Sequence, residues 1–457
     1  MKGEAEASAL DSGALTAQGL LARCSARLES ENPRLNAVVL PCLDDAARAA
    51  AASDARREAG GVLGPLDGLP FTVKDNLHVG GLRATWGSRL FAENIAAEDD
   101  LCVARLRAAG AVLLGMTNTP EFALATHTGN ALFGTTRNPW DTTRVPGGST
   151  GGGAAAVAAG IAPLAIGTDA GGSIRLPAAL CGITGFRPSV GMIPRLHGFP
   201  PLTLDFQAIG VMARSARLVR LATEAMAGPD VRDRASLAFT GLGAAAPRKL
   251  RLRLVPGGAE TDPEVAALVR AAAFVLRGLG HALHEGPLPH DAERLVAIRS
   301  VLSSAGVARV VAAHPGWENQ VTPPIRVAAE RGFAITTAQY IAAMDALAAW
   351  RAATAAAMEG VDILVTPTCP LPAWPIETAT ARVPGMPAGP AQAVAFTAFA
   401  NAMGWPGISL PCGLTRAGLP VGVQLVAPYG ADRALLDLAE AFQDATDWHT
   451  LLPPTGE

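Results

Sequence analysis

The stretch from Gly147 to Arg175, GGSTGGGAAAVAAGIAPLAIGTDAGGSIR, constrains the fold of this chain more than any other. Two glycine-bracketed serines, Ser149 and Ser173, flank an alanine-rich run too apolar for a surface. Glycine lets a backbone pass close to another group, so each cluster reads as a tight loop. Residues 154–160 read as a short buried helix ended by Pro163, and 164–167 as a buried strand. The order loop, helix, strand, loop can bring two hydroxyls together from distant chain positions.

With 457 residues, 49% of them apolar and 17% charged, the chain can bury a large core. A formal net charge of −3 and the lack of any basic block leave out the electrostatic footprint of a nucleic-acid binder, so no nucleic-acid partner is expected. Cys24, Cys42, Cys102, Cys181, Cys369 and Cys412 are scattered without a C-x-x-C pair. That spacing argues against a disulfide framework or zinc site; no metal or other cofactor is expected. The N-terminus has acids and no apolar centre, and no run of 18 apolar residues occurs. A cytoplasmic protein with no membrane partner is expected.

Along the chain, helical spacing runs through 12–30 and stops at Glu31-Asn-Pro33; a strand follows at 36–40 and a helix at 44–59. GLPFTVK reads as a strand delivering Lys74 to its end, followed by a helix at 99–109 and a strand at 111–114. Residues 191–206 lack a period and read as surface loops. Helices are expected at 215–227, 264–279, 291–312, 338–359 and 431–445, and strands at 249–254, 361–365, 408–410 and 421–426. Residues 367–390 are proline-rich, a composition of lids and of plain connectors. With no repeat or flexible linker, one domain spanning 1–457 is expected, with a variable insertion around 191–345.

Gly147-Gly-Ser-Thr-Gly151 fits the G-x-S-x-G elbow, but the proline-bounded segment before it cannot be the central strand such an elbow requires. Ser173 follows a strand through a sharp turn, which makes it the better nucleophile. The backbone N–H groups of Ala170, Gly171, Gly172 and Ser173 could converge on an oxyanion there. No histidine is near either serine in sequence. Lysine can act as base when burial leaves its amine neutral, and Lys74 sits where such desolvation is plausible.

These residues resemble the Ser–cis-Ser–Lys triad of the amidase signature family. The resemblance is carried by GLPFTVKDN, TNTPEF, GTTRNPWD, PGGSTGGGAAAVAAG, GTDAGGSIRLPAALCG and GLPVGVQLV, most closely over residues 60–215. It implies an α/β fold with a mixed sheet of about eleven strands between helices. It also implies a relay from Ser173 through Ser149 to Lys74, an acyl-enzyme on Ser173, and a cis peptide bond before Ser149. Thr150 stands where relatives often have a second serine; its hydroxyl can keep a supporting hydrogen bond while its methyl tightens the pocket. Asp169 and Arg175 match positions that brace the nucleophile loop, or form a structural ion pair.

Several residues have plainer readings. His281, His284 and Glu285 fit a solvated face better than a metal site, Cys181 fits the core, and Trp405, Phe396 and Phe399 fit core before pocket. The expected pocket lining is Ala123 and Leu124 with Ala125, the 192–206 loop and residues around 367–400. Being apolar, it disfavours an anionic substrate. The function expected is a stand-alone amidase, monomer or homodimer, for a small to medium apolar or aryl amide. A carbamate (urethanase) or ester variant uses the same chemistry. The alternative is the glutaminase subunit of a tRNA-dependent amidotransferase. It ranks lower because residues 197–205, HGFPPLTLD, lack the YGS-like run of those subunits.

Overall fold

The computed structural model describes residues 4–245, 249–258, 260–378, 381 and 392–454. In chain order the strands are β1 (Val38–Pro41), β2 (Pro70–Lys74), β3 (Val112–Thr117), β4 (Gly129–Asn130), β5 (Gly134–Thr135), β6 (Leu164–Asp169) and β7 (Thr184–Arg187). They continue with β8 (Ala208–Ala213), β9 (Arg251–Leu254), β10 (Ala282–Glu285), β11 (Ile363–Pro367), β12 (Gly407–Leu414) and β13 (Pro420–Val426). Eleven of them form one mixed sheet in the order β1-β3-β2-β6-β8-β7-β12-β13-β11-β9-β10, and β4 and β5 pair separately.

The central strands β2, β6, β8 and β13 are buried at every position. Helices cover both faces, which is why these strands read as continuous apolar runs instead of alternating ones. Small residues set the spacing at the centre. A Cβ on Gly185 of β7 would come within 2.5 Å of Ala178 Cβ, so helix Arg175–Cys181 lies directly against the sheet. β2 and β6 run parallel, with Val73 opposite Ile166, so Lys74 and the end of β6 emerge on the same edge.

Most expected elements occur within a few residues of their expected bounds, and two departures have physical causes. Helix Ala17–Leu35 runs through Pro33 and ends at Asn36, which takes the left-handed conformation that asparagine tolerates. Residues 191–206 are irregular but not surface loops: Met192, Ile193, Phe199, Leu202 and Phe206 are buried. Phe199 stacks on Trp86 at 4.7 Å, so aromatic packing holds a segment without backbone periodicity. Unforeseen elements are β4, β5, β7, β8, β10 and helices Glu4–Asp11, Arg175–Cys181, Pro323–Phe333 and Ala398–Met403. Of the proline-rich segment, 379, 380 and 382–390 lie outside the described residues. No helix among the described residues is long and apolar enough to cross a membrane.

Candidate active site

Lys74 ends β2 with its side chain fully buried, and its Nζ donates to Ser149 Oγ at 2.7 Å and to Thr168 Oγ1 at 3.4 Å. Asn76 Nδ2 also donates to Thr168 Oγ1, at 2.9 Å. Burial drives the Lys74 pKa from 10.5 down to about 7; Asp169 opposes the shift and the Arg195 charge adds to it. At neutral pH a large share of this amine is therefore uncharged.

Ser149 sits in the loop before helix Gly151–Ala158, and its peptide bond with Gly148 is cis. Thr119 Oγ1 donates to the Ser149 carbonyl at 3.0 Å, and Thr128 Oγ1 to that of Gly147 at 2.9 Å. The two serine loops are tied together by Thr150 N–H, which donates to the Ser173 carbonyl at 3.1 Å. Thr150 keeps the hydroxyl bond its residue type allows, donating to the Thr168 carbonyl at 3.3 Å. Its methyl packs over Gly167, where a Cβ would lie 2.5 Å from Thr150 Cγ2.

Ser149 and Ser173 line the same cavity, of about 370 Å³. Among the described residues no hydrogen bond joins their two hydroxyls. The loop amides divide: Gly172 N–H donates to Asp169 Oδ1 at 2.7 Å. The expectation that all four loop amides are free for an oxyanion is corrected for Gly172, whose N–H is taken by the Asp169 carboxylate. Gly172 has φ +123°, and a Cβ there would fall 2.2 Å from Thr397 Oγ1, so only glycine fits.

Asp169 and Arg175 form a fully buried ion pair, Arg175 Nη2 to Oδ1 at 3.0 Å and Nε to Oδ2 at 3.0 Å. Asn401 Nδ2 donates to Oδ1 at 2.8 Å, and Arg175 also donates to Gln424 Oε1 at 2.7 Å and Asn401 Oδ1 at 2.7 Å. Burial alone would raise the Asp169 pKa, but the charge and hydrogen bonds of Arg175 hold it below the usual carboxylate range. Asn401, Gln424, Thr168 and Thr397 were not foreseen. Gln424 carried a signal: a polar side chain inside the apolar run VGVQLV must find a partner when buried.

Ala123, Leu124 and Ala125 line the cavity, with Leu202, Thr203 and Val394. The opposite wall was missed. It consists of Val296, Arg299, Ser300 and Ser303 from helix Ala292–Val311, and Pro324, Ile325 and Ala328 from helix Pro323–Phe333. Arg299 puts a charge into a lining that was expected to be apolar and to disfavour an anionic substrate. Phe396, Phe399 and Trp405 belong to a buried cluster beside Trp350, and Cys181 is buried beside Ile174. On edge strand β10, Glu285 pairs with Arg270, and His281 Nδ1 accepts from Leu250 N–H at 3.2 Å. No group of three potential ligands able to hold a metal occurs among the described residues.

The Amidase family matches residues 19–436. Among curated proteins, the chain is similar to a glutamyl-tRNA(Gln) amidotransferase subunit of Rhodopirellula baltica, at 36% identity over 98% of this chain and 96% of that one. The corresponding subunit from Moorella thermoacetica is 35% identical over 94% of this chain and 93% of that one. Among solved structures, 6-aminohexanoate cyclic dimer hydrolase with substrate aligns at TM-score 0.86 and 31% identity, covering 99% of this chain and 98% of that one. A bacterial aryl acylamidase of the amidase signature enzymes aligns at TM-score 0.89 and 26% identity, covering 98% and 96%.

The curated relatives overturn two expectations. A stand-alone amidase for an apolar or aryl substrate gives way because the relatives are named as subunits of an amidotransferase. A monomer or homodimer without nucleic acid gives way because that enzyme's name includes a tRNA. The physical reasons are specific. The mismatch at HGFPPLTLD covers nine residues, whereas the similarity to the relative extends over 98% of the chain, so a single short motif carries too little weight to decide lineage. A net charge of −3 describes one chain and carries no information about a basic surface completed by other subunits. Fold, cavity and sequence agree on lineage: the chain belongs to the amidase signature family, enzymes that act on C–N bonds.

Proposed function

We propose that this chain is the glutamine-hydrolysing subunit of a tRNA-dependent amidotransferase. The observation that supports this reading is 36% identity over 98% of the chain to a protein named as a glutamyl-tRNA(Gln) amidotransferase subunit. A cytoplasmic location goes with it.

In the proposed mechanism, neutral Lys74 accepts the Ser149 hydroxyl proton while Ser149 takes that of Ser173. Ser173 Oγ bonds to the carboxamide carbon, and the electron pair of the C=O moves to oxygen, facing the amides of Ala170, Gly171 and Ser173. The link between the two serines closes as substrate binds, since catalytic hydrogen bonds tighten in the complex. Collapse breaks the C–N bond, and the proton returns from Lys74 through Ser149 to nitrogen, which leaves as ammonia. Water, deprotonated along the same chain, then frees glutamate from the ester on Ser173.

Co-expression with the other subunits of such an amidotransferase tests the reading. Ammonia release from L-glutamine should be stimulated by those subunits, and glutamyl-tRNA(Gln) should be converted to glutaminyl-tRNA(Gln), both activities disappearing in Ser173→Ala. A chain that neither joins the subunits nor supports that conversion overturns it.

A further inference from the structure

Arg299 is the one charged residue lining the cavity among the described residues. Its guanidinium lies over the Ser173 loop: a Cβ on Gly171 would be 2.7 Å from Nη2 and 3.5 Å from Nη1. No carboxylate lines the cavity, and among the described residues Arg299 makes no ion pair or hydrogen bond. Asp169, behind the same loop, has both oxygens engaged by Arg175, Asn401 and backbone N–H groups.

The rest of the polar lining points the same way. Gln207 Oε1 accepts from Arg195 Nη1 at 2.6 Å, leaving the Gln207 amide nitrogen, a donor only, for the cavity. Thr126 Oγ1 is buried and unpartnered among the described residues. Ser300 and Ser303 add hydroxyls from the Arg299 helix. A half-buried guanidinium on the cavity wall with no carboxylate in hydrogen-bonding contact, Asp169 acting on it only from behind the loop, has its fork open to a ligand, and a carboxylate matches that fork with two parallel hydrogen bonds, better than the neighbouring hydroxyls can.

We propose that Arg299 determines specificity by binding a free carboxylate of the substrate, so that the cavity takes the ω-amide of a small dicarboxylic acid. This deepens the glutaminase reading and rests on it, since glutamine is such an amide. Arg299 acts on substrate choice; the bond-breaking steps use other groups.

Calorimetric titration tests the proposal without turnover, using Ser173→Ala protein and two ligands, glutaramate and the neutral pentanamide. Glutaramate should bind at least about 30-fold tighter than pentanamide, as charged bidentate hydrogen bonds imply. Adding Arg299→Met should bring the ratio to within about 3-fold, and Arg299→Lys should retain an intermediate preference. Because the readout is a ratio within one protein, a general loss of folded material does not mimic it. Equal binding of both ligands by Ser173→Ala, or a preference that survives Arg299→Met, overturns the proposal. Carboxylate preference without conversion of glutamyl-tRNA(Gln) would sink the glutaminase reading alone. Conversion without that preference would sink the assignment to Arg299 alone.

Discussion

The cavity wall that carries Ser149, with Lys74 hydrogen-bonded to it from within the core, is closed to water, with exposures of 1% and 0%, whereas Val296 of the cavity lining is 51% exposed. The closed wall is built by strand ends and glycine loops whose backbones interlock, as Thr150 N–H does with the Ser173 carbonyl. The open wall is built by helices Ala292–Val311 and Pro323–Phe333, whose side chains meet the cavity without such ties. The difference separates two tasks. Desolvation that lowers a lysine pKa needs a rigid, dry wall, while choice among substrates can be left to side chains that change without disturbing the chemistry.

That separation sets the expected sizes of effect. On the closed wall, Ser173→Ala should cost turnover about 10⁴-fold or more and abolish labelling by a fluorophosphonate, read by mass spectrometry. Lys74→Ala should cost about 10³-fold and remove the acid limb of the pH–rate profile. Asp169→Asn leaves Arg175 buried without its counter-charge, and urea unfolding should reveal a loss of about 3–5 kcal/mol. Thr150→Ser removes one methyl packed on Gly167, worth about 1 kcal/mol in the same assay, with the acid limb unmoved. On the open wall, Ser300→Ala should stay within about 0.5 kcal/mol of the parent. A Ser300→Ala cost comparable to that of Asp169→Asn would erase the distinction between the walls.

Legibility in the sequence divides along the same line. Lys74, Ser149 and Ser173 could be read because glycine and buried charge are chemically conspicuous, and the resemblance supplied the eleven-stranded sheet. Arg299 could not: it sits mid-helix with no motif around it, and its place over Gly171 comes from packing between segments far apart in the chain. Residues 191–206 misled because side-chain stacking on Trp86 replaces the periodicity that marks buried segments. Gly172 misled in a smaller way, since only the fold reveals that its N–H is taken by Asp169. The HGFPPLTLD stretch pointed away from the amidotransferase relatives because one nine-residue motif was weighed against a similarity that extends over 98% of the chain.

Everything on the closed wall rests on a lysine that is neutral when it works. The most direct test is the rate constant for acylation of Ser173 by a fluorophosphonate, followed on both sides of the Lys74 value of about 7. Below that value the protonated amine cannot accept a proton, so the rate should rise about tenfold per pH unit and level off above it. A rate that is flat through this range, or an identical limb in Lys74→Ala, would contradict the account.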